Sequence, residues 1–174
     1  FNFLLYKLKK EKYSNLDIYM RIDSIDKKIL EELQKNSSIP LSELSKKVGL
    51  SNTPCWNRIK KLEEEKIIKS KSIILDNKKI NLPITVFLSI SIQNHTEVWL
   101  NNFEKVVNKY DQIIEVHRLT GSNSDYQITI LSSSIEEYDK FQQLLIKEIE
   151  CTNMSSHISL QTIKKNYKYP LNFI

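Results

Sequence analysis

The chain has 174 residues, 40% of them apolar and 27% charged, and a formal net charge of +5. That is the composition of a globular protein with one domain or two small ones. Its longest apolar stretches, Phe3-Leu4-Leu5-Tyr6 and Ile84 to Ile92, are far too short to span a bilayer. With Gly49 and Gly121 as its only glycines, it cannot hold a P-loop, a Rossmann fingerprint or a G-x-S-x-G elbow. Cys55 and Cys151 form no CxxC pair, and His95, His117 and His157 match no spaced ligand motif. No metal, cofactor or structural disulfide is therefore expected. The N-terminus lacks a cleavage site of small residues and the chain has no alanine, so the cytoplasm is the expected compartment.

The positive charge is unevenly placed. Residues 1–80 carry 18 Lys and Arg against 11 Asp and Glu, a net of +7, whereas residues 81–174 carry 8 against 10, a net of −2. A basic half joined to a slightly acidic one points to a polyanion partner for the first half. The plainer alternative is that lysine is simply abundant, with 23 Lys to 3 Arg. Three segments are expected: an N-terminal extension over residues 1–22, a first domain with its linker over 23–81, and a second domain over 82–174.

Residues 1–22 do not share the pattern that follows, and the first methionine is Met20. Residues 1–19 read as a dispensable extension or, alternatively, a short amphipathic arm. From Asp23, a capping residue, Ile25, Ile29, Leu30 and Leu33 recur at helical spacing. Asn36-Ser37-Ser38 breaks that helix and Pro40 opens the next, whose apolar stripe is Leu41, Leu44 and Val48. Gly49 suits a left-handed turn, Leu50 plugs the core, and Ser51 caps a third helix over 52–65. Within it Cys55, Ile59 and Leu62 share the core face, while Asn52, Thr53, Trp56, Asn57, Lys60 and Lys61 lie opposite. Amides and hydroxyls can bond base edges and lysines can neutralise phosphates, so this face fits a DNA duplex. A merely solvated polar face remains the alternative. Ile67-Ile68 and Ile73-Ile74-Leu75, linked through Lys69 and Lys71, predict a basic hairpin wing, although no glycine marks its turn.

Three runs then resemble a known family: Asp26-x-x-Ile29-Leu30-x-x-Leu33, Leu44-Ser45-x-x-Val48-Gly49-Leu50-Ser51, and Thr53-Pro54-Cys55-x-x-Arg58-Ile59-x-x-Leu62-Glu63-x-x-x-Ile67-Ile68. Together they are similar to the signature of Lrp/AsnC (feast/famine) regulators, in which this region is a winged helix-turn-helix. The resemblance implies DNA contact by Ser51, Asn52, Thr53, Trp56, Asn57, Arg58, Lys60, Lys61, Lys69 and Lys71. Three departures stand out: Asn52 where proline or a small residue is common, Pro40 where Ser or Thr usually caps, and Lys66 where glycine often follows the third helix.

In the second half, Ile84, Val86, Leu88, Ile90 and Ile92 alternate with polar residues as a strand. A helix over 97–110, strands over 113–120 and 126–131, a helix over 135–149 and a strand over 157–163 follow. The order βαββαβ predicts a ferredoxin-like sheet with both helices on one face. The fold class is thus α+β, a winged helix-turn-helix followed by a ferredoxin-like domain. In the family this domain, called RAM, makes dimers and stacks them into tetramers or octamers. Thr120-Gly121 followed by Asp125-Tyr126 is similar to the family's loop that binds an amino-acid effector between subunits. Physically, a glycine turn offers N–H groups to a carboxylate and Asp125 an anchor for an ammonium. The loop here has three residues between Gly121 and Asp125 where two are usual, and an ordinary hairpin turn explains the same residues.

The expected protein is therefore a non-enzymatic, sequence-specific transcriptional regulator that self-assembles on double-stranded DNA and avoids membranes. Two rivals stay open. Siroheme decarboxylases share the architecture and act through His and Arg side chains, for which His117 and Arg118 are candidates. A low-specificity architectural DNA binder is the other.

Overall fold

The computed structural model describes residues 22–121 and 124–174. The expected N-terminal extension, save Ile22, lies outside the described residues, as do Ser122 and Asn123 in the loop after Gly121. The chain forms two compact units. One comprises the described residues up to Ile73 together with Lys164–Ile174, and the other is Ile74–Ile163. Each has its own apolar core.

The first unit opens with helix α1 (Ser24–Lys35). Asp23 caps it: Oδ1 accepts the N–H groups of Ile25 and Asp26, each at 2.8 Å, and the Asp26 carboxylate accepts the Asp23 N–H in return. This reciprocal box satisfies N–H groups that the first turn leaves without carbonyl partners. Helix α2 (Leu41–Val48) follows Pro40, which supplies no side-chain cap. It stops at Gly49, whose φ of 76° lies in the left-handed region that glycine enters without strain. The Leu50 N–H then returns to the Ser45 carbonyl at 2.8 Å. Helix α3 (Asn52–Glu64) starts after Ser51, which has capping backbone geometry but makes no side-chain cap bond. Ile29, Leu30, Leu44, Val48, Cys55 and Leu62 meet in the core.

Two expectations change here. The predicted wing is not a hairpin, since residues 66–83 contain no strand. Ile67 and Ile68 fold back onto the helical core, and the Ile68 N–H reaches the Leu62 carbonyl at 3.0 Å. With the first run spent in packing, Ile73, Ile74 and Leu75 have nothing to pair with and stand exposed. The last residues, assigned from sequence to the second domain, group with the first unit. The Gln34 side-chain amide brackets the backbone of Tyr169, accepting its N–H and donating to its carbonyl, and Leu171 packs against the helical core.

The second unit is a four-stranded antiparallel sheet of β1 (Ile84–Ser91), β2 (Ile113–Arg118), β3 (Tyr126–Ser132) and β4 (Asn153–Ile158), in the order β2-β3-β1-β4. Helices α4 (Glu97–Lys109) and α5 (Ile135–Glu148) complete the βαββαβ order. Val86, Leu88 and Ile90 of β1 and Tyr126, Ile128 and Ile130 of β3 form the helix-covered face and are buried with Phe103, Val106, Tyr138, Phe141 and Leu145. Thr96 and Ser134 cap the two helices by accepting N–H groups three residues on. The opposite face carries the cross-strand row His157–Phe87–Thr129–Glu115.

The final strand lies four residues earlier than the sequence predicts. Its register pairs Asn153 with Ser91 and Ile158 with Val86, and the Ser159 N–H makes one more bond, to Thr85. β1 begins at Ile84, directly after Pro83, so the alternating residues beyond Ser159 have no partner left; Leu160 and Ile163 are exposed.

Candidate nucleic-acid interface and effector loop

Ser51, Asn52, Thr53, Trp56, Asn57, Lys60 and Lys61 are all exposed along α3, while Cys55 and Leu62 anchor its other side. A 13-residue helix seated on a core by one stripe presents the opposite stripe as a rigid surface. Lys60 Nζ lies 5.1 Å from the Trp56 ring centroid, so the cation and the ring stiffen one another on that surface. Asn52 also joins two helices, since its Oδ1 accepts the Ser45 hydroxyl at 2.7 Å and so bridges α2 to the start of α3. That bond fixes the approach of one helix to the next and replaces the missing Ser51 cap as the local tie.

Arg58 is placed differently from the rest of the expected interface. Its Nη1 donates to Asp23 at 2.6 Å and to Asp26 at 2.8 Å, clasping α3 to the N-terminus of α1. Asp26 is buried, and a buried carboxylate requires such a partner. The Asp23 carboxyl is held below its usual range, first by the Asp26 N–H and then by the Arg58 guanidinium, against a modest desolvation. Arg58 thus acts as a clasp between α3 and the start of α1. The signal was present in the sequence, because Arg58 lies on the inward stripe with Cys55, Ile59 and Leu62. Of the wing lysines, Lys71 is paired with Glu63 at 2.9 Å, whereas Lys69 is exposed with no ion pair among the described residues.

At the second candidate site, Thr120 and Gly121 are exposed and Tyr126 is buried against Phe103 and Trp99. Burial pushes the Tyr126 hydroxyl up from its ordinary pKa. Asp125 is engaged within the fold. One carboxylate oxygen accepts the Ile92 N–H at 2.8 Å, the other meets His95 Nε2 at 3.1 Å, and its own N–H donates to Ile90. Sequence reasoning missed both of these engagements, since neither His95 nor Ile92 is near Asp125 in the chain.

A three-helix unit with an exposed polar and basic third helix, joined in the chain to a βαββαβ domain, defines a helix-turn-helix DNA-binding protein with an appended regulatory-type domain. Comparison with known proteins makes this specific. Residues 22–69 match the winged helix-turn-helix DNA-binding family and residues 85–169 the Lrp/AsnC ligand binding domain. The HTH-type transcriptional regulator Zrp of Zymomonas mobilis is 40% identical over 153 residues, 88% of this chain and 99% of that protein. An AsnC family transcriptional regulator from Agrobacterium tumefaciens superposes with a TM-score of 0.83 at 38% identity, over 87% of this chain and 99% of that one. A Neisseria meningitidis transcriptional regulator in complex with L-Met gives 0.82 at 29% identity, over 87% and 97%. The chain belongs to the Lrp/AsnC family of transcriptional regulators.

Proposed function

We propose that this regulator recognises duplex DNA through the outer face of α3 in a self-assembled state, and that a small amino acid tunes that binding. The observation that carries the reading is the exposed α3 surface. Ser51, Asn52, Thr53, Trp56 and Asn57 meet the bases and sugar edges, and Lys60, Lys61 and Lys69 meet phosphates, with Lys71 contributing if Glu63 releases it. Two copies related by a two-fold axis favour a pseudo-palindromic site with half-sites about one helical turn apart or a multiple of it. The open face of the sheet, with Phe87 at its centre, supplies a self-complementary surface for that pairing. The L-Met complex of the Neisseria relative supports an amino-acid effector near Thr120, Gly121, Asp125 and Tyr126. The cytoplasm is the compartment this role requires, and among the described residues no helix is long and apolar enough to cross a membrane.

The protein acts as a regulator and not as an enzyme. The His117–Arg118 pair that kept a decarboxylase reading open falls on opposite faces of β2. His117 pairs with Gln127 and meets Glu115 at 2.9 Å, whereas Arg118 pairs with Tyr126 on the helix-covered side. The two do not converge on one substrate.

Lys61→Ala tests the interface. Binding to all duplexes should weaken, and the slope of log K against log salt should fall by about 1 per lost phosphate contact, measured by fluorescence anisotropy. An unchanged slope removes Lys61 from the interface. Failure of the wild type to bind any duplex at low ionic strength overturns the DNA reading, and equal affinity across random fragments turns it into the architectural one.

A further inference from the structure

Four exposed residues of α3, Thr53, Trp56, Asn57 and Lys60, recur at the i, i+3, i+4, i+7 spacing that puts side chains on one stripe of a helix. Three of them are polar or charged, as a surface facing a polyanion requires. The fourth is not. Trp56 is 50% exposed, and among the described residues of α3 no other large apolar side chain stands in solvent. Cys55 and Leu62 anchor the helix from its other side, with Ile59 packed against the same core, so the fold does not need the Trp56 ring for that purpose. The neighbour of the ring is Lys60, whose Nζ lies 5.1 Å from the ring centroid and 3.8 Å from the Glu64 carboxylate. A cation on its face steadies the indole, which leaves less side-chain freedom to lose when another group packs against it.

On a duplex, phosphates and most base edges offer charge or hydrogen bonds, which the apolar face of an indole cannot use. The major groove displays one apolar group, the C5-methyl of thymine. Trp56 lies in the second turn of α3, close to the N-terminal part of the helix that enters the groove in this class of motif. Lys60 and Lys61 follow it and supply the cations for the adjoining phosphates. We propose that Trp56 is a specificity-determining residue, its ring packing on the C5-methyl of one thymine in each half-site, so that a T·A pair is selected there by apolar contact. This rests on the reading above that the outer face of α3 meets DNA, and it adds which base one side chain selects and through which atom. Thr53 and Asn57, beside the ring on the same stripe, keep the hydrogen-bonding readout of the neighbouring pairs.

The test uses the full chain and the duplex that it retains best from a random pool. Each thymine of that duplex is replaced in turn by deoxyuridine, which deletes the methyl and keeps every hydrogen-bonding group, and affinity is read by fluorescence anisotropy. One thymine position in each half-site should lose about fourfold on replacement, the value of one methyl taken out of water. Trp56→Ala should bind the thymine duplex at least about tenfold more weakly and should no longer distinguish thymine from deoxyuridine at that position. Its salt slope should match that of the wild type, because no phosphate contact is lost. Trp56→Leu retains an apolar group and should keep part of the discrimination. The ring is half exposed, so unchanged melting curves are expected for both variants. Full sensitivity to deoxyuridine in Trp56→Ala, or its loss in Thr53→Ser in place of Trp56→Ala, overturns the proposal and leaves the DNA reading intact. A bound duplex with no sensitive thymine does the same. If the wild type binds no duplex at low ionic strength, the DNA reading fails and this proposal fails with it.

Discussion

Lys66 shows how one residue can be strained by the geometry around it. Helix α3 ends at Glu64, and the chain reverses so that the Lys66 N–H reaches Glu63 and the Ile68 N–H reaches Leu62. That reversal sets Lys66 at φ 59°, where a side chain crowds the following carbonyl at a cost of roughly 1–2 kcal/mol. Glycine enters this left-handed region without strain, and the resemblance drawn from sequence already marked Lys66 as a departure at this step. Lys66→Gly should raise stability by about 0.5–1 kcal/mol, which for a chain of this size moves Tm up by about 1–4 °C in thermal unfolding. A fall in Tm would mean that the turn is not left-handed in solution. Arg58 teaches the opposite lesson. Its membership of the family signature suggested DNA contact, and the fold gives it two carboxylates from the start of α1 as partners, in keeping with its place on the inward stripe.

At the scale of elements, the long periodic segments were the readable ones. Helices at Ser24–Lys35, Asn52–Glu64, Glu97–Lys109 and Ile135–Glu148 match their predicted spans closely, because three or four turns of apolar spacing leave little room for another reading. The hairpin over residues 67–75 and the bounds of the last strand departed from expectation for one shared reason. A strand exists only where another strand offers hydrogen bonds, and alternation in one segment says nothing about where its partner begins or ends. The C-terminal segment was equally opaque: a Lys- and Tyr-rich tail has no period, and its anchors, Gln34 and the helical core, lie far away in sequence. Ending the chain at Lys164 should therefore loosen the last turn of α1, where Gln34 resides. Amide hydrogen exchange over residues 31–35 should quicken by about tenfold or more, and the first unit should lose about 1–2 kcal/mol with the burial of Leu171. Unchanged exchange would show that the tail does not dock.

At the scale of the whole molecule, charge asymmetry becomes a quantitative expectation about DNA. Should Lys60, Lys61 and Lys69 each neutralise one phosphate in each of two copies, log K would fall against log salt with a slope of about −5. Affinity would then drop about 10³-fold between about 50 and 200 mM salt. Anisotropy titrations over that range measure the slope. A value near zero would place the basic surface away from the duplex. The argument for two copies comes from the sheet, whose outer face holds Phe87 between Thr129 and His157, while α4 and α5 pack on the other face.

Chain order, helix periodicity and the run from Leu44 to Ile68 were enough to establish a helix-turn-helix followed by a βαββαβ domain, since both rest on local spacing that every copy of the sequence carries. Which polar groups are free was decided only by folding. Asn52 is tied to Ser45, Arg58 to Asp23 and Asp26, and Asp125 to Ile92 and His95. The physical reason is distance. Hydrogen bonds and ion pairs act over a few ångströms, and residues 32 to 35 positions apart come that close only once the backbone has been placed.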